Sequence, residues 1–142
     1  MNDVPKILFL CTGNACRSQM AQGWAMKLMG GRVWAWSAGT TPAGLSSRAV
    51  QVMREAGIDI SNHRCKHVDE LKHIAFDCVI TVCDRANENC PAWLGGGTRM
   101  HVPFDDPAHA EGDREQALEV FRRVRDEIRD FITYLPERLA KD

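Results

Sequence analysis

Short apolar runs alternate along the chain with longer stretches whose apolar residues recur every three or four positions. This is the pattern of strands interleaved with amphipathic helices. Lys6-Ile7-Leu8-Phe9-Leu10 follows Pro5 as a continuous apolar run, as expected of a strand buried on both faces of a parallel sheet. From Ser18, Met20, Ala21, Trp24, Ala25, Leu28 and Met29 fall at helical spacing, and Gly30-Gly31 ends the helix. Val33 to Ala38 reads as a second strand and Gly39 to Gly44 as a loop; Ser46 and Ser47 are candidate caps for a helix through Ala56, closed by Gly57. A shorter helix is expected over Asp69–Ile74, a third strand over Phe76–Val82 and a short fourth strand over Arg99–Phe104. Leu118, Phe121, Val124, Ile128, Phe131 (or Ile132) and Leu135 form the apolar stripe of the last helix. Strands alternating with helices predict an α/β fold with helices on both faces of a parallel sheet. The loosest region is expected over 84–98, ending in Gly95-Gly96-Gly97.

Composition narrows the class. At 142 residues the chain fits a single domain, 1–142. Its net charge of −1 argues against general attraction to nucleic acid or to an anionic membrane. No run approaches the roughly 20 apolar residues that span a bilayer. The first residues lead through Asp3 and Lys6 straight into the first strand without a signal-peptide pattern, so the expected compartment is the cytoplasm. Six cysteines in a reducing compartment are not expected to form a static disulfide framework; redox chemistry, metal binding and plain burial remain.

The densest chemistry lies in Cys11-Thr12-Gly13-Asn14-Ala15-Cys16-Arg17-Ser18. A cysteine ends a buried strand, and an arginine stands six residues on at the start of a helix. The loop between them must wrap tightly, so that its N–H groups and the helix N-terminus converge on an anion. Thr12, Gly13, Asn14, Ala15, Cys16 and Arg17 are the expected oxyanion-binding residues, with the Arg17 fork able to hold two oxygens. The same field is expected to lower the pKa of Cys11 and leave it a thiolate at neutral pH, a ready nucleophile to which Ser18 donates a hydrogen bond. Asp106, before Pro107, is a candidate acid, although an Asp-Asp-Pro run is also an ordinary solvated turn. Cys83 ends the third strand, at the sheet edge where ligands bind in open α/β folds. Cys90 lies seven residues further along a polar segment, near enough to approach Cys83 if that segment curls. Cys78 reads as core, Cys65 sits on a loop, and Cys16 contributes backbone more than sulfur. A zinc site from Cys65, Cys78, Cys83 and Cys90 lacks any Cys-x2-Cys pair; no metal is expected.

Cys-x5-Arg-Ser behind an N-terminal strand resembles the low-molecular-weight protein tyrosine phosphatases. Gln19-Met20-Ala21, Gly23-Trp24, Ser37-Ala38-Gly39, Ile58 to His63, Phe104-Asp105-Asp106-Pro107-Ala108 and Arg122 to Ile128 look more like the arsenate reductases that share that fold. The resemblance runs through nearly the whole chain. It implies a three-layer sandwich with a central parallel four-stranded sheet and helices on both faces, working as a monomer. It further implies thioredoxin-coupled reduction of arsenate, with phosphate or sulfate as competing anions and no bound cofactor. In that family Cys11 would attack arsenate, Cys83 would attack Cys11 to release arsenite, and Cys90 would take over the disulfide from Cys11. Thioredoxin, the electron donor, would then reduce Cys83–Cys90. Asp106 would protonate the leaving oxygen, and Asp105 receives no role.

The chain departs from the family at a potassium site supported by Asn14, Ser37 and two acidic positions, which here are Gln22 and Lys66. The Lys66 ammonium is expected in the cation's place, bonding Asn14, Ser37 or Gln22, with His63 bracing the region by hydrogen bonds. Three other readings stay open: a tyrosine phosphatase, a reductase that uses a small thiol, and a non-catalytic anion-binding module. The phosphatase is weakened by Ala108, where phosphatases of this fold resemble one another in carrying Tyr, with Trp93 as a possible substitute wall. Both Cys83 and Cys90 count against the second reading, and the absence of a basic stripe or DNA-reading helix counts against a nucleic-acid partner.

Overall fold

The computed structural model describes residues 4–88, 90–91, 94 and 97–140. Four strands, β1 (Lys6–Cys11), β2 (Trp34–Gly39), β3 (Cys78–Thr81) and β4 (Thr98–His101), form one parallel sheet in the order β2-β1-β3-β4. β1 is central, pairing Lys6 with Trp34 through Cys11 with Gly39 on one side, and Ile7 with Cys78 through Leu10 with Thr81 on the other. Successive strand residues face opposite sides of a sheet, yet Ile7, Leu8, Phe9 and Leu10 are all fully buried. Both faces of the sheet are therefore covered, giving the three-layer α/β sandwich. The wetter edge strand β2 keeps Trp34 exposed.

Helices α1 (Arg17–Leu28), α2 (Ser47–Glu55) and α4 (Arg114–Ala140) pack on one another. The long stripe of α4 is buried at Leu118, Phe121, Val124, Ile128, Ile132 and Leu135; Phe131 lies beside the stripe, half-buried against Phe104. Ser46 caps α2 by accepting from Ala49 N at 3.2 Å. Gly57 follows at φ 83°, a left-handed position that suits glycine.

Two expectations need correction. The helix over Asp69–Ile74 is instead a single 3-10 turn, Val68–Leu71, held by a reciprocal cap between His67 and Glu70. The third and fourth strands are shorter than their apolar runs. Pro103 has no N–H for the ladder, although Val102 N and Phe104 N still reach Thr81 O and Val82 O at 2.9 and 3.0 Å. The segment after β3 opens with a helical turn, α3 (Asp84–Glu88), and Leu94 beyond it is buried; much of the rest of the 84–98 region, where the loosest part is expected, lies outside the described residues. Among the described residues no helix is long and apolar enough to cross a membrane.

Candidate active site

β1 delivers Cys11 to the carboxyl edge of the sheet, and α1 begins six residues later at Arg17. Between them the chain closes a loop with Asn14 at φ 51°, a left-handed conformation that Asn tolerates better than most residues. The segment 40–46 lies against the outside of this loop. Thr40 N, Thr41 N, Ala43 N and Ser46 N donate to the carbonyls of Cys11, Thr12, Gly13 and Ala15 at 3.1, 2.8, 2.9 and 3.0 Å. With the carbonyls drawn outward, the intervening N–H groups turn inward. Asn14 N donates to Cys11 Sγ at 3.1 Å. Among the described residues, the N–H groups of Gly13, Ala15 and Cys16 have no protein acceptor and are available to an anion. Gly39, opposite, has room for no side chain, since a Cβ there would lie 2.5 Å from Thr12 O.

Hydrogen-bond polarity at the nucleophile follows from donors whose roles are fixed. Lys66 N can only donate, so the Asn14 atom 3.0 Å from it is Oδ1, which also accepts from Gln19 Nε2 at 3.0 Å. Asn14 Nδ2 therefore donates to Ser18 Oγ at 2.8 Å, and the Ser18 hydroxyl is left to donate to Cys11 Sγ at 2.8 Å. One layer further out, Gln19 Nε2 donates to Arg64 O, so Gln19 Oε1 faces His63 Nδ1 at 3.0 Å and that nitrogen carries the proton. Asn14, Ser18 and Gln19 are fully buried, so this chain is a satisfied polar core behind the thiol. His63 braces it, as the sequence suggests.

Cys11 itself departs from expectation. The thiol is 2% exposed, and burial pushes its pKa up, against the lowering influence of Ser18, the Asn14 N–H and Arg17. The sequence points to a resting thiolate; in the folded chain desolvation outweighs the hydrogen bonds. Part of the reason lies with Arg17, whose charge is shared. Nη1 donates to Phe104 O at 3.1 Å and Nη2 lies 3.3 Å from Asp106 Oδ2. Each terminal nitrogen of the fork has a second N–H left for an anion. Cys16 is a poor nucleophile, its pKa pushed up to about 12 by burial and by the nearby Asp106 and Cys11.

A cavity of about 450 Å³ opens over this loop, lined among others by Cys11, Arg17, Thr41, Cys83, Asp106 and His109. Most of the sequence-expected residues thus converge: Thr12, Gly13, Ala15, Cys16 and Arg17 form the floor, Asp106 one wall and Cys83 another, while Asn14 is buried behind the floor. Asp106 caps the turn Pro107–His109 by accepting from Ala108 N at 3.0 Å. Asp105 points away to Arg123, 3.1 Å from its Nη2. Cys83 is buried, its Sγ 3.3 Å from Thr12 Oγ1 and 3.4 Å from Ala86 N. Cys90 is half-buried outside the cavity and bonded by Arg99. Cys11, Cys83 and Cys90 are all free thiols.

Sequence reading missed Thr41 and the docking of 40–46, which no motif announces, and the part played by Cys65. That thiol donates to Gly13 O and accepts from Gly44 N, both at 3.2 Å, joining the anion loop to its outer wall. The expectation for Lys66 is also corrected. Its ammonium bonds Arg64 O at 3.0 Å, while Ser37 donates instead to Gln22 Oε1 at 2.6 Å and only the Lys66 backbone N–H reaches Asn14. Among the described residues the cavity lining contains no Phe, Tyr or Trp side chain; Trp93 lies outside the described residues.

Residues 6–142 match the family model described as low molecular weight phosphotyrosine protein phosphatase. An arsenate reductase of Bacillus licheniformis is 49% identical over 132 residues, covering 92% of this chain and 94% of its own length. An arsenate reductase of Halalkalibacterium halodurans is 48% identical over 122 residues, covering 86% and 88%. Among solved structures, an arsenate reductase in the phosphate binding state superposes with a TM-score of 0.80 at 31% identity, covering 92% of this chain and 95% of that one.

Proposed function

The chain belongs to the low molecular weight phosphotyrosine protein phosphatase family, and from that premise we propose that it is an arsenate reductase working through Cys11, Cys83 and Cys90, with thioredoxin as electron donor. The observation that carries this reading is the second thiol at the anion loop, Cys83 Sγ 3.3 Å from Thr12 Oγ1 and lining the same cavity as Cys11. A phosphatase needs one thiol, because water hydrolyses its phosphocysteine; a two-electron reduction needs a second thiol to take the first as a disulfide.

Arsenate sits against the inward N–H groups and the spare N–H groups of Arg17. The Cys11 proton passes by way of the Asp106 carboxylate to one arsenate hydroxyl, and Cys11 Sγ displaces that oxygen, which leaves as water. Ser18 steadies the charge on sulfur throughout. Cys83 then gives up its thiol proton, which ends on the departing arsenite, and its Sγ attacks Cys11 Sγ. The As–S bond breaks with its electron pair kept by arsenic, which departs as arsenite, and a Cys11–Cys83 disulfide forms. Cys90 attacks Cys83, Cys11 is released, and the Cys83–Cys90 disulfide is reduced by the dithiol of thioredoxin.

Family membership keeps phosphate-ester hydrolysis in view. The lack of any Phe, Tyr or Trp side chain in the lining among the described residues favours a small inorganic anion over an aryl phosphate. Arsenate-dependent NADPH oxidation with thioredoxin and its reductase tests the proposal. Many turnovers are expected from the intact protein and about one from Cys90→Ser. No arsenate-dependent oxidation together with brisk aryl phosphate hydrolysis would overturn it.

A further inference from the structure

Strand β4 carries Arg99 and His101 exposed on either side of the buried Met100, so the two share one face of the strand. They reach the two ends of the segment that bears the outer thiols. His101 Nε2 is 2.7 Å from Asp84 Oδ1, next to Cys83, and its Nδ1 is 2.8 Å from Thr81 Oγ1. Arg99 Nη2 donates to Cys90 Sγ at 3.1 Å. Among the described residues no carboxylate lies within ion-pair distance of Arg99, so its charge is directed at the sulfur. We propose that Arg99 activates Cys90, holding it in place and stabilising its thiolate for attack on the Cys11–Cys83 disulfide. This rests on the three-thiol reading above.

The chemistry needs such a group. Thiol–disulfide exchange proceeds from the thiolate: the Cys90 proton goes to solvent, a Cys90–Cys83 bond forms, and the Cys11–Cys83 bond breaks with its electron pair on Cys11. The exchange is electron-neutral and needs no further reactant. Cys90 is half-buried, and desolvation works against its ionisation while Arg99 opposes that effect. For a thiol that is mostly protonated at ambient pH, stabilising the thiolate raises the reactive fraction faster than it lowers intrinsic nucleophilicity. A guanidinium also keeps its charge at any working pH, so the contact survives conditions that would neutralise a histidine.

The test is site-resolved alkylation of the reduced, full-length protein by iodoacetamide, read by peptide mass spectrometry, for the intact chain, Arg99→Met and Arg99→Lys. At neutral pH, Cys90 of Arg99→Met should react roughly threefold to tenfold more slowly. The difference should close at alkaline pH, where the thiol is ionised without help, and Arg99→Lys should keep most of the reactivity. A purely structural contact would give a change that does not depend on pH. Equal Cys90 reactivity in Arg99→Met and the intact chain at neutral pH would overturn the proposal. Cys90→Ser in thioredoxin-coupled turnover separates the two readings. Full multiple turnover would overturn the relay, and with it the catalytic use of the contact, whatever the alkylation result.

Discussion

Cys11 shows how closely opposed the forces on one sulfur are. Burial raises its pKa, and Ser18, a backbone N–H and Arg17 pull it back. A hydrogen bond to a charged group is worth roughly 1.5–3 kcal/mol, so Ser18→Ala should slow the first chemical step about tenfold or more at neutral pH. Because the missing donor raises the thiol pKa further, the lost rate should partly return as pH rises. A pH profile of single-turnover arsenite release checks both size and sign. His63 makes a second test at this scale. Burial, then Lys66, lowers its pKa from 6.5. A histidine with a depressed folded pKa contributes stability that is present above its unfolded value and lost as pH falls through the folded one. Thermal stability should therefore fall on acidification below about pH 6.5. His63→Asn, whose amide can still donate to Gln19, should flatten that slope; an unchanged slope would locate the titration elsewhere.

Elements bring these residues together, and two glycines mark where the tolerance ends. A methyl at Gly39 would fall 2.5 Å from Thr12 O and 3.0 Å from Asn14 N. Those are backbone atoms, which cannot yield without opening the loop. Gly39→Ala should therefore cost more than tenfold in phosphate affinity by calorimetry, as an order-of-magnitude expectation. At Gly23 the same methyl meets side chains, Ile60 Cγ2 at 3.0 Å and Met53 Cε at 3.1 Å. Overpacking of roughly 1–3 kcal/mol competes there with about 1 kcal/mol gained in helix propensity. Gly23→Ala should lower the Tm by only a few degrees and leave activity intact. The exposed Arg123–Asp105 pair sits at the other extreme: Asp105→Asn should leave turnover within about twofold, whereas Asp106→Asn should reduce it strongly.

The element scale is also where the sequence speaks most and least clearly. The apolar run of β1 and the stripe of α4 are periodic over enough residues to be read directly, and Cys11 to Ser18 announces an anion loop by spacing alone. The 3-10 turn at Val68–Leu71 and the helical turn at Asp84–Glu88 are too short to leave a period. The docking of 40–46 on the anion loop is made by backbone groups, to which side-chain identity is nearly blind. The upward push of burial on the Cys11 pKa is not legible in one dimension, where the nearby N–H donors and the cation can be counted but the exclusion of water cannot be weighed.

At the scale of the whole molecule, three thiols are spread over two strand ends and one outer segment, and they differ in access as a relay would require. Cys11 is sealed at the cavity floor, Cys83 is buried in its wall, and Cys90 is half-exposed outside it. On the proposed relay an anion in the cavity would meet the first thiol, and among the three a protein reductant would reach the last most readily. The most direct measurement is a single exposure of reduced Cys90→Ser protein to excess arsenate without any reductant, followed by alkylation, digestion and mass spectrometry. The account predicts about one arsenite released per chain and a peptide pair joined through Cys11 and Cys83. Arsenate left unreduced, with Cys11 and Cys83 both recovered as alkylated thiols, would contradict it.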